Sequence, residues 1–317
     1  MNRNASIGAA VWLAFLAVAR MRWIEAEWID LLFLLAPLVV VPLGLQLMGE
    51  MEKGVVPSTP ERVARDVQLA CALAVVASFL LPRGAAAGLL VAAWFVFCGM
   101  LAVGGLIRLA RGAFRSFDSI FAVFAFFYLP IGAAWLTASR LGIAPLGFQE
   151  PIVLLTAVHF HYAGFAAPLL ARSSRRALVG PPARSVAVAL LNVLSTGVVV
   201  GPGLLAAGFV IGPRVKLAAA VVLAASEVGL AVSFISALKH VARRGPKCLI
   251  GLAAASLGFA MMLAALWAIG EYPLQPFVHL AEMARFHGTA NAFGFTLCGL
   301  IGWTQAQKCW ARSGGKA

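Results

Sequence analysis

Uncharged apolar runs recur along this chain from end to end, with only short polar breaks between them. A hydrocarbon core about 30 Å thick is crossed by roughly 20 helical residues. Backbone inside that core must hydrogen-bond to itself, so such runs read as helices. The runs are Ala5–Ala19, Ile29–Met48, Val67–Leu81, Ala85–Ile107, Phe117–Ser139, Pro151–Ala171, Ser185–Val210, Leu217–Leu238, Cys248–Gly270 and His287–Thr304. The expected fold is therefore all-α: a polytopic helical membrane protein of about ten transmembrane helices. Residues 1–317 form a single integral membrane domain in this reading, since the longest loop, Gly49 to Asp66 with Pro57 and Pro60, is too short to hide a soluble one. Hydrophobic residues make up 62% of the chain and charged residues 12%, against about 25% charged in soluble proteins. That composition excludes a soluble enzyme.

The net charge of +13 would point to nucleic acid in a soluble protein, but here the basic residues cluster between the spans. If both termini are cytoplasmic, 18 of the 25 Lys and Arg fall in inner segments, and the remaining seven, Arg20, Arg22, Arg83, Arg140, Arg214, Lys216 and Arg285, fall outside. That asymmetry is the positive-inside pattern, so no nucleic-acid partner is expected and the lipid bilayer is. The five cysteines are scattered, with no C-x-x-C to hold zinc. Ala17-Val18-Ala19 has the look of a signal cleavage site, yet the many following spans favour a first transmembrane helix. From Glu271 to Phe286, two prolines lead into an amphipathic stretch expected to lie at the outer interface.

Breakers stand inside several spans. Pro37, Pro42, Pro130, Pro168 and the run Gly201-Pro202-Gly203 are expected to kink or unwind their helices.

Function must come from polar side chains at membrane depth, where ionisable groups are costly. The sixth span places His159, His161 and Tyr162 together. At 100° per residue, Thr156, His159 and Tyr162 share a face while His161 points away. The eighth span sets Glu227 almost midway between Lys216 and Lys239. An uncompensated carboxylate there costs several kcal/mol, so Glu227 is expected to be either protonated or paired, for example with a histidine. In the tenth span, His287, Asn291, Gly294 and Cys298 fall on one stripe, and an Asn four residues from a His can orient its ring. Asn192, with Ser195 and Thr196, and mid-depth Tyr128 complete the set. One outward-opening polar cavity would gather Tyr128, His159, Tyr162, Glu227, His287 and Asn291.

The segments LTAVHFHYAGF (Leu155 to Phe165) and FHGTANAFGF (Phe286 to Phe295) resemble those of the YndJ-like family of bacterial integral membrane proteins. The resemblance implies a multi-pass protein of the bacterial cytoplasmic membrane. It brings no activity of its own, but adds weight to His159, His161, Tyr162, His287 and Asn291.

Three functions fit these residues. The first is an intramembrane acid/base enzyme, an isomerase or cyclase acting on a lipophilic small molecule such as an isoprenoid or lipid. Glu227, His159 and His287 would then be catalytic, and His161, Tyr162, Asn291, Tyr128 and Asn192 would hold substrate. The second is a proton-coupled transporter or permease. In the third, His159 or His161 and His287 would ligate haem or a metal ion; otherwise no cofactor is expected. The oligomeric state is open.

Overall fold

The computed structural model describes residues 2–113, 116–179, 186–271 and 279–312. Among them there is no strand. Ten helices follow one another: α1 (Arg3–Arg20), α2 (Trp28–Met51), α3 (Thr59–Phe79), α4 (Ala85–Ala110), α5 (Phe117–Leu141), α6 (Ile152–Leu178), α7 (Val186–Ile211), α8 (Pro213–Ala237), α9 (Arg244–Glu271) and α10 (residues 280–312).

Seven of them, α2 and α4 to α9, are long and apolar enough to cross a membrane, so among the described residues the count is about seven and not the expected ten. The other three carry too much polarity. Helix α1 is bracketed by Arg3 and Arg20, α3 opens with Glu61, Arg62, Arg65 and Asp66, and α10 closes with Gln305, Gln307 and Lys308. An odd count does not put both termini on one side, so the sorting of basic residues by ten alternating spans does not carry over to it. Of the segment expected at the outer interface, residues 272–278 lie outside the described residues. Its described part is helical from Leu280, where the side chains of His279 and Glu282 form a capping box.

The chain packs as two compact units, residues 1–48 with 52–166, and residues 49–51 with 167–317.

Helix α2 is the centre of the first unit: 94% of its apolar window is buried. Its two prolines remove backbone donors where no water can replace them. Pro37 ends the first α-helical stretch at Leu35, and residues Ala36–Val40 open into a π-turn. The Ala36 N–H donates to Phe33 O, and Pro37 has no N–H, so Leu32 O is left without its helical donor. The Tyr162 hydroxyl donates to it at 2.8 Å. The same argument applies one turn later. Val41 N–H donates to Ala36 O, Pro42 has no N–H, and the uncovered Pro37 O receives Gln68 Nε2 from α3 at 2.8 Å. Leu38 O, whose α-helical donor would have been Pro42, projects into the space where a side chain on Gly8 of α1 would stand.

The two ends of α3 are fastened by arginines. At the basic end, Arg108 of α4 bonds Glu61 at 2.6 Å through Nε and Glu52 at 2.9 Å through Nη1. At the other end Arg140 of α5 donates to Ser78 Oγ, Ser78 O and Leu81 O, covering the last carbonyls of α3.

In the second unit α7 and α8 form a hairpin around Gly212 (φ 144°), a backbone angle that side chains avoid. Gly201 admits Leu223 at a distance no Cβ would allow. The expected break at Gly201-Pro202-Gly203 does not form. Val186–Ile211 is one helix through Pro202, and Gly201 serves close packing instead.

Tyr162→Phe and Gln68→Leu each leave a buried carbonyl without a donor, and each is expected to cost about 1–3 kcal/mol of stability. Thermal unfolding in detergent checks this; a melting point equal to that of the unaltered protein for both variants would remove the account of α2. Arg108→Met is expected to cost more, about 3–5 kcal/mol, because Glu61 is 1% exposed and would be buried without its partner. The double variant with Glu61→Gln should recover part of that loss.

Candidate functional site

In the first unit, α6 changes winding where the polar residues stand: Phe160–Ala166 is a π-helix. The 100° spacing fails there, so His161 does not point away from the core. It is fully buried, and Tyr162 is 7% exposed. Both ring nitrogens of His161 are engaged. Nδ1 lies 2.8 Å from Ala157 O, and Nε2 lies 3.0 Å from the indole Nε1 of Trp94. A carbonyl only accepts and an indole N–H only donates, which fixes the proton on Nδ1 and the lone pair on Nε2. Phe33 meets the ring edge-on at 5.2 Å. On α5, Gly132 leaves the room that Nδ1 occupies, since a Cβ there would lie 2.7 Å from it.

Tyr128 stacks on Phe160 at 5.5 Å and lies against Gly164. His159 is half-buried and touches Phe160 edge-on at 5.5 Å. His161 and Tyr162 thus serve the packing of the first unit, one through Trp94 and the other through the open carbonyl of α2. Trp94, Gln68 and the Arg108–Glu61 pair were not among the expected residues. A glutamine in the apolar body of α3 was the one signal that could have pointed to Gln68, whereas nothing in the sequence marks Trp94 among eight tryptophans.

In the second unit the expected pairing of His287 with Asn291 is present, on a stretch of α10 with two π-segments, Met283–His287 and Ala290–Leu297. Asn291 Nδ2 lies 3.0 Å from His287 Nε2 and 3.1 Å from His287 O, while His287 Nδ1 meets Ala260 O of α9 at 2.9 Å. The amide orients the imidazole as the spacing implied. Gly294 lets α10 press on Ser256 of α9. Asn192 of α7 accepts from Arg175 Nε at 3.0 Å, and Thr196 donates to Asn192 O. Ser233 bonds Ser174 at 2.9 Å, which ties α8 to α6.

Glu227 stands apart from these satisfied groups. It lies in the middle of α8, is 4% exposed, and its Oε2 is buried with no hydrogen-bond partner. Among the described residues of the second unit no histidine is hydrogen-bonded to it. On a different face of α8, an apolar groove of about 450 Å³ runs between α8 and α9, lined by Ala224, Val228, Gly258, Met261, Met262 and Ala265 among others, with Glu227 outside the lining. Among the described residues no three His, Cys, Asp or Glu side chains are grouped as metal ligands. The nitrogens that haem iron or a metal ion would need on His161 and His287 are already bonded within the chain, so these two rings do not fit that role.

A helical bundle with long apolar spans and polar groups satisfied inside it defines an integral membrane protein. The YndJ-like protein family model matches residues 31–295, and this chain belongs to that family. It is 25% identical over 310 residues to the "Uncharacterized membrane protein YndJ" of Bacillus subtilis (strain 168), an alignment covering 96% of this chain and 53% of that protein. The chain thus spans about half the length of that relative. No solved structure matches it.

The hydrogen bonds of His161 predict a single ring tautomer. Nitrogen NMR of the histidine-labelled protein is expected to show a protonated Nδ1, and Trp94→Phe should shift the Nε2 resonance while costing about 1 kcal/mol of stability. A ring protonated on Nε2 in the unaltered protein would overturn the assignment.

Proposed function

We propose that this protein is a proton-coupled membrane carrier in which Glu227 is the proton-binding group, and that its cargo is a lipophilic small molecule. The observation that supports this most is the bare carboxyl in the middle of α8. Ionised and unpaired in an apolar interior, it would cost several kcal/mol, so its resting form is the neutral acid. It gives up the proton only when its surroundings open to water or supply a countercharge. Protonation and conformation are then linked, which is the requirement for coupling. The groove between α8 and α9 is apolar enough to suit a lipophilic cargo.

An intramembrane isomerase or cyclase has less support. Acid/base chemistry is served by a second titratable group beside the first, and no described histidine of the second unit is hydrogen-bonded to Glu227.

Dicyclohexylcarbodiimide reacts with protonated carboxyl groups in apolar surroundings and is expected to label Glu227 in membranes, as read by peptide mass spectrometry. Glu227→Gln should abolish that label. The same substitution should remove the pH dependence of any lipophilic molecule that co-purifies with the protein. Unlabelled Glu227 beside labelled peripheral carboxyls would sink the proposal.

A further inference from the structure

The groove between α8 and α9 has a definite length and depth. On α8 its lining runs from Ala220 to Val228 and on α9 from Gly258 to Ile269, about 12 Å and 16 Å of helix. Val228 stands midway between Lys216 and Lys239, and Gly258 stands at the middle of Arg244–Glu271. The groove therefore occupies one half of each helix and stops near the centre, which is the depth of one leaflet of a hydrocarbon core about 30 Å thick. Small residues line it, Ala224, Gly258 and Ala265 among them, and a Cβ added at Gly258 would meet nothing within 4 Å. At its rim Val221, Val228, Met262 and Ile269 are exposed, so it opens sideways, towards lipid. Water finds no partners in an apolar space of this kind, and hydrocarbon fills it instead.

The end of the groove nearer the membrane surface is marked by charge. Lys216 stands one helical turn before Ala220 on α8. Its Nζ lies 5.9 Å from the ring centroid of Trp267, which immediately precedes Ala268 and Ile269 of the lining on α9. The Phe209 ring of α7 meets the same ammonium at 4.8 Å. The cation is thus held at the mouth of the groove, with a tryptophan beside it of the kind that sits at headgroup level. Arg214 adds a second positive charge in the first turn of α8, a turn with no acidic residue. Both charges stand at the positive end of the helix dipole, where an anion is favoured.

We propose that this groove binds one anionic membrane lipid, with a hydrocarbon chain lying between α8 and α9 and its net-negative headgroup on Lys216. An apolar trough one leaflet long with a cation at its surface end has the outline of a lipid. A compact neutral molecule would leave much of that length empty and the charge unanswered. The inference narrows the cargo to a lipid with an anionic headgroup. It rests on the reading of the groove as the seat of the cargo, and not on the proton chemistry of Glu227, which lies outside the lining.

Native mass spectrometry of the full chain in detergent tests it, with dioleoylphosphatidylglycerol as the anionic probe and dioleoylphosphatidylcholine as the zwitterionic one. The site predicts one phosphatidylglycerol adduct that is roughly tenfold tighter than the phosphatidylcholine adduct, a difference of about 1.4 kcal/mol. Gly258→Leu fills open space and replaces a poor helix former with a good one; it should weaken the phosphatidylglycerol adduct by about the same factor. Lys216→Gln should reduce that adduct to the phosphatidylcholine level, and Lys216→Arg should keep the preference. Equal binding of the two lipids, still blocked by Gly258→Leu, would reject the anionic class and leave the groove as the seat of the cargo. Phosphatidylglycerol binding unaffected by Gly258→Leu would reject the groove itself and the lipid site with it. Should Gly258→Leu fail to fold, Lys216→Gln decides: an undiminished preference for phosphatidylglycerol would overturn the site. Carbodiimide labelling of Glu227 in the same preparations reads the proton-binding group separately.

Discussion

Helix α2 is nine-tenths buried and carries two prolines, and the arrangement of the first unit follows from that combination. Each proline removes a backbone donor, and in a dry interior the stranded carbonyls must be met by something other than water. Tyr162 meets Leu32 O, Gln68 meets Pro37 O, and the Leu38 carbonyl is accommodated by the bare backbone of Gly8. Three surrounding helices are thus held in register by α2. A π-turn is the local answer to the same shortage, since it re-pairs the remaining donors with carbonyls five residues back.

This accounting separates two kinds of polar residue in the membrane. Tyr162, Gln68, His161 with Trp94, Ser233 with Ser174, and Asn291 with His287 all end in hydrogen bonds inside the protein. They contribute modest stability and considerable specificity, because each has one place where its partner stands. Glu227 is different in kind. Its Oε2 is buried without a partner, a cost that buried polar groups almost always avoid. The contrast, rather than the mere presence of polar residues at depth, directs attention to α8.

Much of the architecture was legible in the sequence, because hydropathy reports directly on the solvent a segment meets. All ten helices stand where apolar runs predicted them, and the error lay in crediting α1, α3 and α10 as spans despite their polar ends. The pairing of Asn291 with His287 was legible too, since i and i+4 neighbours meet on most helical windings. The face of His161 was not. Its direction depends on a π-turn that 100° arithmetic ignores, and its partner Trp94 is 67 residues away. Sequence also flagged Glu227 by its cost but could not reveal that its Oε2 is left without a hydrogen-bond partner. The Gly201-Pro202-Gly203 run misled for a related reason: glycine and proline signal a break only if no neighbour needs the close approach they permit.

The stranded carbonyls of α2 also bear on how the chain is built. Helix α2 is apolar enough to enter the bilayer unaided, whereas α1 and α3, with arginines and acids at their ends, are marginal guests there. Once α2 is in place, its unmet carbonyls and the notch taken by Gly8 offer those two helices a reward that lipid does not. The more polar α1 and α3 are thereby held in the unit by bonds to α2, Trp12 Nε1 to Leu31 O and Gln68 Nε2 to Pro37 O, that lipid could not supply.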